Sequence, residues 1–225
     1  LNKNREDGSA RSFRARARKT FDAASSFYGF FDFFPKGVFT QAAARLSEKI
    51  PLGPETTILE VFCATGYFSR ILAAARLHVT SVDISYLMIR RAARKARGLP
   101  IGFAVGDAAD LPFPDNSFDL VIAGRGLHGM PRSVRNMAVS DIRRVCAGYV
   151  LFMEPKRPTG VLGRAVMGIL ERIEGGYGDY LDFISTDFRS YLSGLGFVPQ
   201  DLLVKDNEYV LLCRKIGGGL SPSAL

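Results

Sequence analysis

The chain has 225 residues, 47% of them hydrophobic, enough for one sizeable core and short for two independent domains. Its 23 glycines, 11 prolines and 23% charged residues exclude a fibrous or wholly disordered chain. The formal net charge of +8 is uneven, because residues 1–19 carry seven Lys/Arg against Glu6 and Asp7, while the remainder is nearly balanced with 23 basic and 20 acidic side chains.

The first segment therefore reads as a basic flexible arm over 1–20. Such an arm either solubilises or attracts an anionic surface, a membrane or a nucleic acid. It lacks the apolar middle of a secretory signal, and no apolar run in the chain reaches the roughly 18–20 residues of a spanning helix. Residues 21–50 follow as a helical, aromatic lid: Phe21, Phe27, Tyr28, Phe30, Phe31, Phe33, Phe34 and Phe39 crowd into nineteen positions. Dense aromatics beside a basic arm suit a membrane-interface element, a cover over an apolar substrate, or a helix packed on the domain.

From residue 56 the pattern alternates between strand and helix periods. Strands are expected at 57–62, 78–82, 101–105, 118–123 and 149–154, with helices at 66–76, 85–97 and 133–146 between them. The helix at 85–97 exposes Arg90, Arg91, Arg94, Lys95 and Arg97 and turns Ile89, Ala92, Ala93 and Ala96 inward. A helix at 187–194 precedes strands at 198–204 and 209–214, an antiparallel pair around Asp206-Asn207. This order predicts an α/β, Rossmann-like, mostly parallel seven-stranded sheet with helices on both faces and a C-terminal antiparallel strand pair. The domain spans 51–214, with 156–186 as an inserted cap over the substrate and 215–225 as a flexible tail.

Ligands of such sheets sit beyond the carboxyl ends of the strands, near the topological switch point. The residues there are Cys63 to Gly66, Asp83, Asp107 and Gly124 to His128. The loop Glu60-Val61-Phe62-Cys63-Ala64-Thr65-Gly66 departs from the GxGxxG of a dinucleotide site, since Phe62, Ala64 and Tyr67 break the spacing. Asp83 at the end of the second strand is placed to accept hydrogen bonds from both ribose hydroxyls, and Asp107 after the third to meet a purine amine. Two such aspartates after successive strands favour a nucleoside site.

On these residues the chain resembles the class I S-adenosylmethionine-dependent methyltransferases, most nearly the branch that methylates menaquinone and ubiquinone precursors and related small molecules and lipids. The matching stretches are ILEVFCATGYFSRILA (58–73), VTSVDISYLMIRRA (79–92), GDAADLPFPDNSFDLVIAGRGLHGMP (106–131), DIRRVCAGYVLFMEP (141–155) and GLGF (194–197). A weaker likeness extends into FDAASSFYG (21–29). The resemblance implies S-adenosylmethionine as cofactor. It assigns Glu60 to the first loop and the donor's amine, and the loop Phe62, Cys63, Ala64, Thr65 and Gly66 to the methionine part. Asp83 goes to ribose, Ile84 to the adenine face, Asp107 and Ala108 to the adenine edge, and Tyr28 to a cover. Gly124 borders the donor methyl, and His128 faces the substrate chamber as the candidate base. Phe62 and Ala64 replace the family's usual glycines, so a binding or scaffold protein with a degenerate cofactor site is an alternative.

The implied acceptor is a small aromatic, quinol-like or lipid-like molecule. An RNA or protein acceptor draws on the same basic residues but lacks the Asn/Asp-Pro-Pro-aromatic clamp, because 154–157 read Glu-Pro-Lys-Arg. No residue pattern marks a carboxylate behind the ring of His128. Two distant histidines and the scattered Cys63, Cys146 and Cys213 supply no metal ligand set, and an odd number of spaced cysteines suits a reducing, cytoplasmic setting, with peripheral membrane contact through residues 1–19.

Overall fold

The computed structural model describes residues 3–31, 36–158, 176–205 and 207–217, with 160, 163, 165, 168, 169 and 172 between them; side chains at 3–7, 9, 27–31, 36 and 204 lie outside the description. Helices α1 (Lys3–Phe31) and α2 (Lys36–Lys49) precede the alternating region β1 (Ile58–Val61), α3 (Tyr67–Ala74), β2 (Val79–Asp83), α4 (Tyr86–Lys95) and β3 (Ile101–Val105). It continues through β4 (Phe118–Gly124), α5 (Arg132–Val145), β5 (Cys146–Pro155), α6 (Tyr177–Ser185), α7 (Phe188–Gly194), β6 (Phe197–Val204) and β7 (Glu208–Lys215).

The seven strands form one sheet in the order β3-β2-β1-β4-β5-β7-β6. β1 to β5 run parallel, while β7 lies antiparallel to β5 and β6 antiparallel to β7. The order reverses direction between β1 and β4, where Val61 sits opposite Ala123. That crevice is the expected ligand position of an open parallel sheet.

Strand periodicity divides the core between the two faces. Leu59 and Val61 of β1, Val121 and Ala123 of β4, and Val150 and Phe152 of β5 pack with α5 and α7. Ile58, Leu120, Ile122, Leu151 and Met153 face the other way, against α2 and α3. Phe39 belongs to this second face, its ring stacked 5.4 Å from that of Phe68. The other clustered aromatics from Phe27 to Phe34 lie outside the described side chains.

Three expectations change. Ala93 is exposed rather than inward, and Met88 takes the buried position one turn earlier. β5 starts at Cys146, directly at the end of α5, because Cys146 already pairs with Phe118 across an irregularity in β4. The basic segment is helical: α1 runs without interruption across the expected boundary at residue 20. Ala10, Ala17 and Ser25 are buried at helical spacing, and small side chains on that stripe let the helix lie close to the domain. Of the expected tail, residues 218–225 lie outside the described residues, as do Asp206 of the closing turn and most of 159–175.

Candidate active site

The loop after β1 is built on left-handed backbone. Phe62 has φ 61°, Ala64 φ 45° and Gly66 φ 69°, and only the last is a residue that takes this region freely. Gly66 starts α3, donates to the Cys63 carbonyl at 2.7 Å, and would bring a β-carbon within 3.1 Å of Ala92 Cβ. The positive φ at Phe62 breaks the alternation of β1. Its ring turns across the crevice onto the backbone of Gly126, so close that a β-carbon at 126 would lie 2.2–2.6 Å from ring atoms. The half-buried ring joins the core on the α5 side.

Glu60 is buried on the α3 side, accepting from the Ser69 N–H at 3.0 Å and from the Ser69 hydroxyl, which also meets Ser81 Oγ at 2.6 Å. Burial pushes its carboxyl up to about 8, against the opposing Ser69 N–H bond. It therefore holds the first turn of α3. Asp83 accepts from the Ala64 N–H and the Ser85 N–H, both at 2.9 Å, which ties the β1 loop to the end of β2. Loss of hydration raises this carboxyl to about 6, with those N–H bonds opposing.

The remaining expected residues are distributed unevenly. Cys63 is buried, which holds its thiol well above the usual range. Thr65 is buried as well, its hydroxyl accepting from Lys95 Nζ at 3.2 Å and its carbonyl from Arg70 at 2.7 Å. Ile84 is half-buried beside Asp83, and Ala108 belongs to the core. Gly124 ends β4 with Met153 Cε 3.2 Å from where a β-carbon would stand. Tyr28 falls in α1 but its side chain lies outside the described residues.

α1 crosses this edge of the sheet. Asp22 accepts from Ser85 Oγ at 2.5 Å and from the Leu87 N–H at 3.1 Å, and Arg91 donates to Ser25 and Ser26 at 3.3 and 2.9 Å. Arg14 forms an ion pair with Asp107, whose other oxygen accepts from the Ala109 N–H at 2.9 Å. The basic segment thus supplies a cation to the aspartate expected to meet adenine.

The sequence reading missed Glu154. This residue, 1% exposed, extends the Val150–Phe152 row to the carboxyl end of β5. Its Oε1 accepts from the Gly126 and Leu127 N–H groups at 3.0 and 2.9 Å, and its Oε2 lies 2.7 Å from His128 Nδ1. A carboxylate therefore does stand behind the His128 ring. The available signal was the acid in phase with the core row, at the end of the strand beside the histidine-bearing loop. Tyr180 and Phe183 meet the His128 ring edge-on, each at 6.3 Å. Tyr180 also lines a cavity of about 310 Å³ with Tyr177, Leu181, Ile184 and Arg157. Among the described residues, no group of His, Cys, Asp and Glu side chains is placed to hold a metal.

Residues 58–148 match the family model described as a methyltransferase domain. The demethylmenaquinone methyltransferase of Staphylococcus aureus is 34% identical over 121 residues, 51% of this chain and 49% of that protein. The chain thus spans about half the length of this relative. The matched residues carry β1 to β4, the two strand-end aspartates and the histidine loop. Residues 58–148 are thus similar to a methyltransferase domain, on a sheet with the class I S-adenosylmethionine-dependent methyltransferase fold. S-adenosylmethionine is the cofactor that such a methyltransferase domain takes.

Solved structures share the fold. The complex of DhpI with SAH (S-adenosylhomocysteine) aligns over 90% of this chain and 97% of DhpI, with a TM-score of 0.64 at 21% identity. A methyltransferase of Haloferax volcanii, solved with the activator Trm112, aligns over 91% of this chain and 99% of its own, with a TM-score of 0.62 at 16% identity. Asp83 and Asp107 stand at adjacent strand ends, as expected of a nucleoside site, and the space between the β1 and β4 loops is narrowed by the Phe62 ring on Gly126.

Proposed function

We propose that the chain methylates a small aromatic, quinol-like or lipid-like acceptor, with His128 as the base. The observation that carries this reading is the His128–Glu154 contact, at the mouth of the crevice and beside an aromatic-lined cavity. S-adenosylmethionine supplies a methyl group already activated on a sulfonium, so the protein's task is placement, dryness and proton removal. Glu154 as a carboxylate only accepts, which puts the His128 proton on Nδ1 and makes Nε2 the basic nitrogen. Taking a hydroxyl proton from a phenol or quinol turns it into the stronger nucleophile. Glu154 also fixes the loop itself, because the same carboxylate accepts from the Gly126 and Leu127 N–H groups.

Asp83 would hold ribose and Asp107 the adenine amine, the latter once Arg14 yields it. Tyr177, Tyr180, Leu181 and Ile184 give the cavity walls that suit a planar, apolar ring, with Arg157 at the rim. The demethylmenaquinone methyltransferase relative supports a quinol-like acceptor. Exposed Arg16, Arg18 and Lys19 on α1 support contact with an anionic membrane, which would bring a lipid-like acceptor to the cavity. Among the described residues no helix is long and apolar enough to cross a membrane.

Phe62 favours a second reading, a methyltransferase-like binding protein whose altered loop no longer takes the donor. Calorimetry with S-adenosylmethionine and S-adenosylhomocysteine separates the two. Binding of either, followed by donor consumption with quinols or phenols that is lost in His128→Ala, is the expected result. Failure of both to bind the folded protein would sink the enzyme reading in favour of the second.

A further inference from the structure

A second concave site lies away from the crevice, on the outer side of α4. Leu87, Arg90, Arg91 and Arg94 line a hollow of about 140 Å³. Arg90 and Arg94 stand one helical turn apart, and Arg91 adjoins Arg90. Like charges at this spacing repel, and α4 contains no acidic residue to offset them. Among the described residues, the acid of α1 that bonds to this end of α4 is Asp22, and its Oδ1 is already engaged by the Ser85 hydroxyl and the Leu87 N–H. Arg91 is steered by its bonds to Ser25 and Ser26, whereas Arg90 and Arg94 are exposed. Three forked donors around one small hollow offer more N–H groups than a single carboxylate can accept from, and the several oxygens of a phosphate can take bonds from all three.

We propose that this hollow binds a phosphate monoester, with Arg90, Arg91 and Arg94 as its ligands. The phosphate is carried either by a lipid head group or by a soluble metabolite. Tyr86, 57% exposed on the neighbouring turn, offers an aromatic ring at the level where a lipid interface would begin. A phosphate on Arg91 also competes with Ser25 and Ser26 for the same guanidinium, so occupancy of the hollow and the seating of α1 are linked. Neither step involves the methyl donor.

The test is a titration of the full chain with inorganic phosphate and with glycerol 3-phosphate, read from the arginine Nε–H resonances by nuclear magnetic resonance. The signals of Arg90, Arg91 and Arg94 should move together and saturate, and Arg90→Gln/Arg94→Gln should weaken binding about tenfold or more. Both changed side chains are exposed, and an unaltered melting curve verifies the fold. Arg18→Gln/Lys19→Gln removes the same charge from α1 and should leave phosphate affinity within about twofold. Equal losses in the two double variants would reduce the effect to net charge and overturn the site. So would uniform shifts across all arginines. Flotation with phosphatidylcholine vesicles, with and without phosphatidic acid, identifies the source. Recruitment by phosphatidic acid that Arg90→Gln/Arg94→Gln abolishes assigns a lipid, and phosphate binding without recruitment assigns a soluble ester. Tight RNA binding that the same variant leaves unchanged, with no phosphate saturation, would refute the proposal.

Discussion

The Phe62–Gly126 contact can be tested by a double-mutant cycle. A β-carbon at 126 would stand 2.2–2.6 Å from three atoms of the Phe62 ring, far inside contact distance. The backbone at Gly126 does not require glycine, since its φ is not positive. Gly126→Ala should therefore cost what overpacking costs, about 1–3 kcal/mol, while Phe62 is present. In Phe62→Gly the three nearest atoms are gone, and reduced freedom of the unfolded chain should make the same β-carbon favourable by about 0.4–1 kcal/mol. The coupling between the sites should be about 1.4–4 kcal/mol. Phe62→Gly alone should come out near neutral. It relieves about 1–2 kcal/mol of left-handed strain at φ 61°, loses a comparable amount from the half-buried ring, and adds unfolded-state entropy.

The assay is urea unfolding of the four proteins, followed by circular dichroism and extrapolated at constant slope. Calorimetry with S-adenosylhomocysteine on the same proteins reads the crevice itself. Removing the ring should tighten binding by about tenfold or more, which is 1.4 kcal/mol. Coupling below about 0.5 kcal/mol would show that the ring does not lie on Gly126 in solution. A Phe62→Gly variant of normal stability that binds no better would show that the ring does not limit the methionine end of the seat.

Other consequences follow from the charged groups. Glu60, with its folded carboxyl raised to about 8 and its unfolded value near 4.5, contributes full stability below about pH 4.5 and loses it as pH rises toward 8, a fall of about 3–5 kcal/mol. Glu60→Gln keeps an acceptor for Ser69 and should flatten that slope in urea titrations at stepped pH; an unchanged slope would place the raised carboxyl elsewhere. Arg14→Ala should leave stability within about 1 kcal/mol, because the pair with Asp107 is partly exposed, yet raise nucleoside affinity several-fold by calorimetry. Weaker nucleoside binding would mean that Arg14 helps hold the ligand instead. Glu154→Gln should lower kcat about 100-fold and displace the acidic limb of the pH–rate profile, whereas a rise in KM alone would confine Glu154 to holding the loop.

The fold was legible because its signals are periodic and local. The apolar runs at 57–62 and 118–123 form strands buried on both faces, the helical stripe through Ile89, Ala92 and Ala96 buries one side, and the alternation of the two periods dictates a parallel sheet. The strand-end positions of Asp83 and Asp107 followed from the same periodicity. What the pattern did not reveal were partners far apart in the chain. Arg14 meets Asp107 only because Ala10, Ala17 and Ser25 let a helix lie flat over the sheet edge. Small residues in a basic segment read equally well as a solvated arm. Glu154 and His128 are joined by the pairing of β4 with β5, and neither strand alone carries that information.

The side chain at 62 was the least legible of all, for a reason specific to backbone geometry. Continued alternation from Val61 would send residue 62 to the side of Ile58 and Glu60, into the layer beneath α3. The left-handed turn sends it instead across the sheet's switch point, onto the β4 loop. An aromatic residue rarely holds that conformation, so it persists here only because the contacts around it compensate: Asp83 pins the Ala64 N–H on one side and Glu154 pins Gly126 on the other. Both carboxylates thus serve the arrangement of the ring. Moving the ring off Gly126 should therefore loosen at least one of these two anchors. Under the proposed function Asp83 is the better candidate, because a ribose hydroxyl would replace the Ala64 N–H as its partner, whereas Glu154 would have to stay in place to orient His128.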